Sequence, residues 1–240
     1  VHHFEAATAD ALDDVLRRRH RAGDDVHLHF QPHAGHAQRL AHILLAVDDE
    51  FLVQHMQDLL PRLSADMAVV GTYTPDAAPA GKRALGNKVL SLITKLDGGR
   101  QAAQQYASAD NMTQQLAALA ALLKIGRGND ELAAFEAKWQ SDRLVMDKWF
   151  GMQVGCAAPQ VAAATASKLT LHPAFDMKNP NRFRAVFGSL KANTAGFHDP
   201  SGAAYDLLAD WLIKLDPINP QTTARMSTSF DTWRRYDTDR

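Results

Sequence analysis

Cysteine is nearly absent: Cys156 is the single one in 240 residues. A lone cysteine excludes an intrachain disulfide framework, which agrees with a reducing compartment, and a cytoplasmic protein is expected. No apolar run approaches the roughly 20 residues that span a bilayer, so no membrane partner is expected. Neither sign of charge is in excess. Against 27 Asp+Glu stand 26 Lys+Arg, a formal net charge of -1, which gives no electrostatic argument for nucleic acid. Period-2 alternation is scarce, with residues 26–30 the only short strand candidate. The chain opens on Val1-His2-His3, with no Met and no signal-peptide pattern; a fragment of a longer protein is the expectation.

What is present describes a soluble globular chain with a real core: 46% hydrophobic and 22% charged residues. Apolar residues recur at helical spacing. Leu12, Val15 and Leu16 mark a helix over about 6–20, ending in the basic run 17–21 and read as a solvated C-terminus. A helix pair is expected over 40–63, with Phe51, Leu52, Met56, Leu59 and Leu60 as the second stripe. Residues 71–81, with Pro75 and Pro79, are the most breaker-rich stretch and the expected linker. Helices follow over 84–96, where Gly86 costs about 1 kcal/mol against Ala, and over 111–123, capped by Asp110 or Asn111. Further helices are expected around Leu132, Phe135 and Trp139, then over 144–154 and 159–168. Trp149, Phe150 and Trp211 read as core. Gly126-Arg127-Gly128 lacks the Lys-Ser/Thr of a phosphate loop. No fixed-length repeat is visible.

Asn179-Pro180-Asn181-Arg182-Phe183-Arg184 is the most informative stretch. Pro suits a helix's first position and biases the preceding residue away from helix. Asn179 therefore reads as N-cap of a helix reaching about Leu190. The device recurs at Asn219-Pro220, opening a helix that contains Arg225. Between them Ala204, Leu207, Leu208, Trp211, Leu212 and Leu215 form an amphipathic helix that Asp216-Pro217 stops. Three helices joined by short loops pack up, down, up, so the two Asn-Pro starts are expected at one end. Gln221 and Arg225 share a face at i, i+4. With Arg184, they are expected to form a donor-rich pocket for a carboxylate. Arg182 reads as a surface or structural arginine.

Five histidines (His27, His29, His33, His36 and His42) fall within 16 residues. Such clusters suit zinc, copper or nickel, but no Cys or Glu stands at a recognised ligand spacing. An irregular surface segment is expected, and no metal site is assigned.

The motifs from residue 179 to 190, Phe197-His198, 219–225 and Arg235-Tyr236-Asp237 resemble the C-terminal helical domain of bacterial aminopeptidase N, a zinc metallopeptidase family. Asp110-Asn111-Met112-Thr113 and the run 144–150 extend the likeness. It covers roughly 81–240. The resemblance implies an all-α superhelical array of antiparallel helix pairs, like HEAT or armadillo repeats. A divergent, His-rich helical segment is expected over 1–75, and the resemblance implies the family domain over 76–240, truncated at its C-terminus, so that Phe230 and Trp233 lack part of their packing. It further implies that this domain closes over the catalytic domain of the same polypeptide. The positions matching Arg184, Gln221 and Arg225 face the resulting cavity and contact the peptide substrate.

The chemistry of that family is not in this chain. It needs H-E-x-x-H and a later Glu for zinc, with the general base on the same helix. No histidine here is followed by Glu, no Gly-Ala-Met-Glu-Asn run occurs, and Cys156 has no identifiable catalytic partner. No catalytic residue is assigned, and zinc is implied only for the longer enzyme. The alternative reading is a free-standing helical-repeat module that binds a protein partner.

Overall fold

Asparagine side chains begin several helices, because an N-cap oxygen satisfies a backbone N–H that the first turn leaves without an internal partner. The Asn111 side chain accepts from Gln114 N at 3.0 Å, Asn179 from Asn181 N at 3.1 Å, and Asn219 from Thr222 N at 3.0 Å. In the computed structural model, which describes residues 49–235, every regular element among those residues is helical and no strand occurs. The helices on either side of position 125 form two compact units.

The first unit holds α1 (Asp49–Met56), α2 (Leu60–Asp66), α3 (Ala77–Asp97), α4 (Arg100–Ser108) and α5 (Met112–Lys124). The long α3 is its axis. Leu85, Val89, Leu92 and Ile93 of α3 pack against Leu52, Met56, Leu60 and Leu63 of α1 and α2. Leu90, on another side of α3, joins Ala102, Ala118, Ala121 and Leu122 of α4 and α5. The turn from α3 to α4 needs positive φ at Gly98 (65°) and Gly99 (94°), conformations that glycine adopts without a Cβ penalty. Asp97 fixes it by accepting from Gly99 N and Gln101 N at 2.8 and 2.9 Å.

Helix α3 starts seven residues earlier than the periodicity predicts. Pro79 lies in its first turn, where the missing N–H has no helical partner anyway; the breaker-rich stretch is irregular only as far as Asp76. Gly86 has a packing reason as well. A Cβ there would stand 3.3 Å from the Met67 Cβ.

The second unit holds α6 (Asn129–Trp139), α7 (Arg143–Gly155), α8 (Pro159–Leu169), α9 (Pro180–Ala192), α10 (Thr194–Phe197), α11 (Ala203–Leu215) and α12 (Pro220–Ser227). Two 3-10 turns, Thr228–Phe230 and Trp233–Arg235, follow. The expected three helices from 180 onward are four. Asn193 both ends α9 and opens α10, its Oδ1 accepting from Gly196 N at 3.2 Å. The Nδ2 of Asn193 donates to Val154 O and Ala157 O at 3.1 and 2.9 Å, tying the junction to the end of α7. Aromatic rings run through the core from Trp149 and Phe150 to His172 and Phe175, then to Trp211 and Phe187. Phe230 meets the rings of Phe197 and Tyr205, whereas Trp233 is 49% exposed.

The readings over 6–20, 26–30 and 27–42 and the part of the 40–63 helix pair before Asp49 lie outside the described residues, as does Tyr236-Asp237.

An ion-pair cluster joins α1 to α3. Asp49 lies 2.5 Å from Lys88 Nζ and 3.4 Å from Lys95 Nζ. Burial alone would raise the Asp49 carboxyl, but the hydrogen bond and charge of Lys88, with Lys95 behind, hold it below its ordinary value of 3.8. A depressed carboxylate stabilises the fold above its unfolded value, and that contribution is lost as pH falls through the lowered native value. Asp49→Asn should therefore lower Tm at neutral pH. The difference from the parent should close as pH falls below the ordinary carboxylate value of 3.8 and through the lowered native one, which thermal unfolding followed by circular dichroism would read.

Candidate functional site

Helix α7 packs along α9, and a small residue sets their approach. A Cβ on Gly151 would fall 2.8 Å from Ser189 Oγ and 3.1 Å from Ala185 O, so only glycine lets α9 approach there. Alongside this crossing runs an open groove of about 770 Å³, lined by Leu144, Asp147, Lys148, Gly151 and Met152 of α7 and by Asn181, Arg184, Ala185 and Ser189 of α9.

Arg182 holds the groove together from below. It is 4% exposed. Its Nε donates to Asp147 Oδ1 at 2.6 Å, Nη1 to Ala174 O at 2.7 Å and Nη2 to Arg143 O at 3.2 Å. Its guanidinium lies over the Phe150 ring, 4.4 Å from the centroid. The structural reading of Arg182 holds. The 170–179 connection that supplies Ala174 is fixed in turn by His172. The Nδ1 of His172 accepts from Ala174 N at 3.1 Å, so Nε2 carries the proton and donates to Glu136 Oε1 at 2.8 Å.

Arg184 stands on the exposed rim. Its Nη2 donates to Asn181 Oδ1 at 2.7 Å and its Nε to Pro180 O at 3.1 Å. Both acceptors are neutral, so the guanidinium is oriented while keeping its charge. Lys148 is the groove's other cation. Neither has a carboxylate partner among the described residues, and Asp147 is committed to Arg182. The groove is thus positive at its rim and suited to an anion or to peptide carbonyls.

Gln221 and Arg225 are exposed one turn apart on α12, as the spacing requires. That helix packs against α11, and neither residue lines the groove that Arg184 borders. Lys148 was not singled out as a site residue from sequence, although it lies within the 144–150 run. An exposed lysine beside a buried Trp-Phe pair carries no spacing signal of its own.

Among the described residues no three His, Cys, Asp or Glu side chains are placed to hold a metal.

Removing Arg182 would leave Asp147 without its charge partner and the Ala174 carbonyl without its donor. Arg182→Met should destabilise the second unit by about 3 kcal/mol. Arg182→Lys should recover little, since one ammonium cannot span three acceptors on separate segments. Chemical denaturation of both variants measures this.

Comparison with known proteins gives a consistent picture. Residues 25–240 match the family described as "Domain of unknown function (DUF3458_C) ARM repeats". Aminopeptidase N of Caulobacter vibrioides is 39% identical over 188 residues, 76% of this chain and 22% of that protein. Aminopeptidase N of Haemophilus influenzae is 38% identical over 163 residues, 66% of this chain and 18% of that protein. The fold is similar to that in the crystal structure of Legionella pneumophila aminopeptidase A in complex with aspartic acid. There the TM-score is 0.73 at 23% identity, over 96% of this chain and 32% of that one. The chain spans about a fifth of the length of the aminopeptidases N it matches.

Proposed function

This chain belongs to the DUF3458_C family of ARM repeats, and from that membership we propose that it is the C-terminal helical domain of a zinc-dependent aminopeptidase, closing the active-site cavity and contacting the peptide. The observation that carries the reading is the 39% identity over 188 residues to an aminopeptidase N. The all-helical fold and the capped Asn-Pro starts support the same assignment. The partners are the peptide and the catalytic domain of the same polypeptide, in the cytoplasm.

The residues of this chain do not fit the family's zinc. The sequence holds no H-E-x-x-H, and the described residues hold no metal-competent cluster. Zinc and its hydrolytic chemistry belong to the catalytic domain. The role left for this chain is recognition. Arg184, Gln221 and Arg225 are exposed; the arginines pair with a carboxylate or peptide carbonyls, and the glutamine donates to and accepts from backbone.

A charge-assisted contact of this kind contributes roughly 1.5–3 kcal/mol when water is excluded. In the full-length enzyme, Arg225→Ala should lower kcat/KM on short peptides about ten- to a hundredfold. A neutral chromogenic amide, which has no carboxylate, should lose much less, and zinc content should stay constant. Equal losses on the two substrates would overturn the assignment of Arg225 to substrate contact.

A further inference from the structure

The first unit contains a pocket that none of the foregoing uses. It lies among α2, α3, α4 and α5 and has a volume of about 400 Å³, within the roughly 300–1,000 Å³ of small-molecule sites. Its polar lining is Ser64, Arg83, Asn87, Gln101, Gln105 and Gln114. No aspartate or glutamate lines it.

Arg83 is the anomaly. It is 5% exposed, yet no carboxylate lies within ion-pair distance among the described residues. Its Nη2 donates to Thr74 O at 2.6 Å, and the Tyr73 ring covers the guanidinium at 4.5 Å. Both partners are neutral. Buried charges are otherwise paired, as Arg182 is with Asp147. Arg83 lines the pocket and brings to it a positive charge that no carboxylate among the described residues neutralises.

The carboxamides around it are fixed and only partly used. Gln105 Nε2 donates to Asn87 Oδ1 at 3.1 Å and to Gln114 O at 3.0 Å, while Gln101 Nε2 donates to Ser64 Oγ at 2.9 Å. These bonds leave the Asn87 Nδ2 hydrogens as donors and the Oε1 atoms of Gln101 and Gln105 as acceptors. One cation, spare amide donors and spare amide acceptors complement a monoanion that also bears an N–H. A zwitterionic amino acid is the poorer match, because its ammonium would meet amide oxygens and no lining carboxylate.

We propose that this pocket binds a small N-acylated carboxylate, its carboxylate paired with Arg83 and the Asn87 amide and its N–H accepted by Gln101 or Gln105. The proposal is independent of the aminopeptidase reading, which concerns other residues.

The test is titration of the 15N-labelled 240-residue chain with N-acetylglycine, and in parallel with neutral N-acetylglycinamide, at ionic strength matched by sodium chloride. The side-chain amide resonances of Asn87, Gln101 and Gln105 should move saturably with the acid and stay in place with the amide. Arg83→Gln should weaken binding of the acid at least tenfold. Should Arg83→Gln fail to fold, Asn87→Leu, which keeps the cation, should weaken it several-fold. Equal response to acid and amide, or an affinity unchanged in a folded variant, overturns the proposal. Binding to this chain that vanishes in the longer protein would overturn a free ligand and assign the carboxylate to a side chain of that protein.

Discussion

The bonds of Arg182 are the constraint on which the second unit depends. A guanidinium removed from water must recover its hydration from fixed oxygens, and a planar fork requires them in defined directions. Asp147 Oδ1, Ala174 O and Arg143 O meet that demand. The three lie on α7, at its start, and on the 170–179 connection, so satisfying one side chain sets the position of α9 against both. Phe150 closes the stack from the ring face. The Gly151–Ser189 approach then fixes how near the two helices come. The groove beside them follows from these two requirements together.

Much of the fold was legible because it rests on local chemistry. The caps at Asn111, Asn179 and Asn219 and the stop at Asp216-Pro217 depend on residues within a few positions of each other, which is the range over which a sequence states its structure. The i, i+3, i+4 stripes identified the buried faces of α11 and α1 for the same reason. What escaped was set by distance. The start of α3 was hidden because Pro79 and Gly81 read as breakers, although a proline in a helix's first turn costs no hydrogen bond. Helix α10 escaped because Asn193 is held by carbonyls nearly forty residues upstream.

The site was less legible than the fold. Arg184, Gln221 and Arg225 could be named from spacing and family likeness, and all three are exposed polar residues on the helices expected. The groove at Arg184 is made with Lys148 and Asp147, whose place depends on the α7–α9 crossing and not on any interval in the sequence. Arg83 gave no warning at all. An arginine in an amphipathic helix looks like any solvated cation until a tyrosine ten residues back is seen to cover it.

The three arginines differ in one respect that decides what each can do. Arg182 is bonded to a carboxylate, and its charge is consumed in holding the fold. Arg184 and Arg83 are held by neutral oxygens: Asn181 Oδ1 and Pro180 O for the first, Thr74 O for the second. A neutral acceptor restricts a guanidinium's rotamers without cancelling its field. The entropy of ordering a long side chain, about 0.5–1.5 kcal/mol at a binding surface, is then already spent before an anion arrives. A cation paired with a carboxylate would instead have to break that pair first. Orientation without neutralisation leaves Arg184 and Arg83, unlike Arg182, with a positive charge that no carboxylate among the described residues meets.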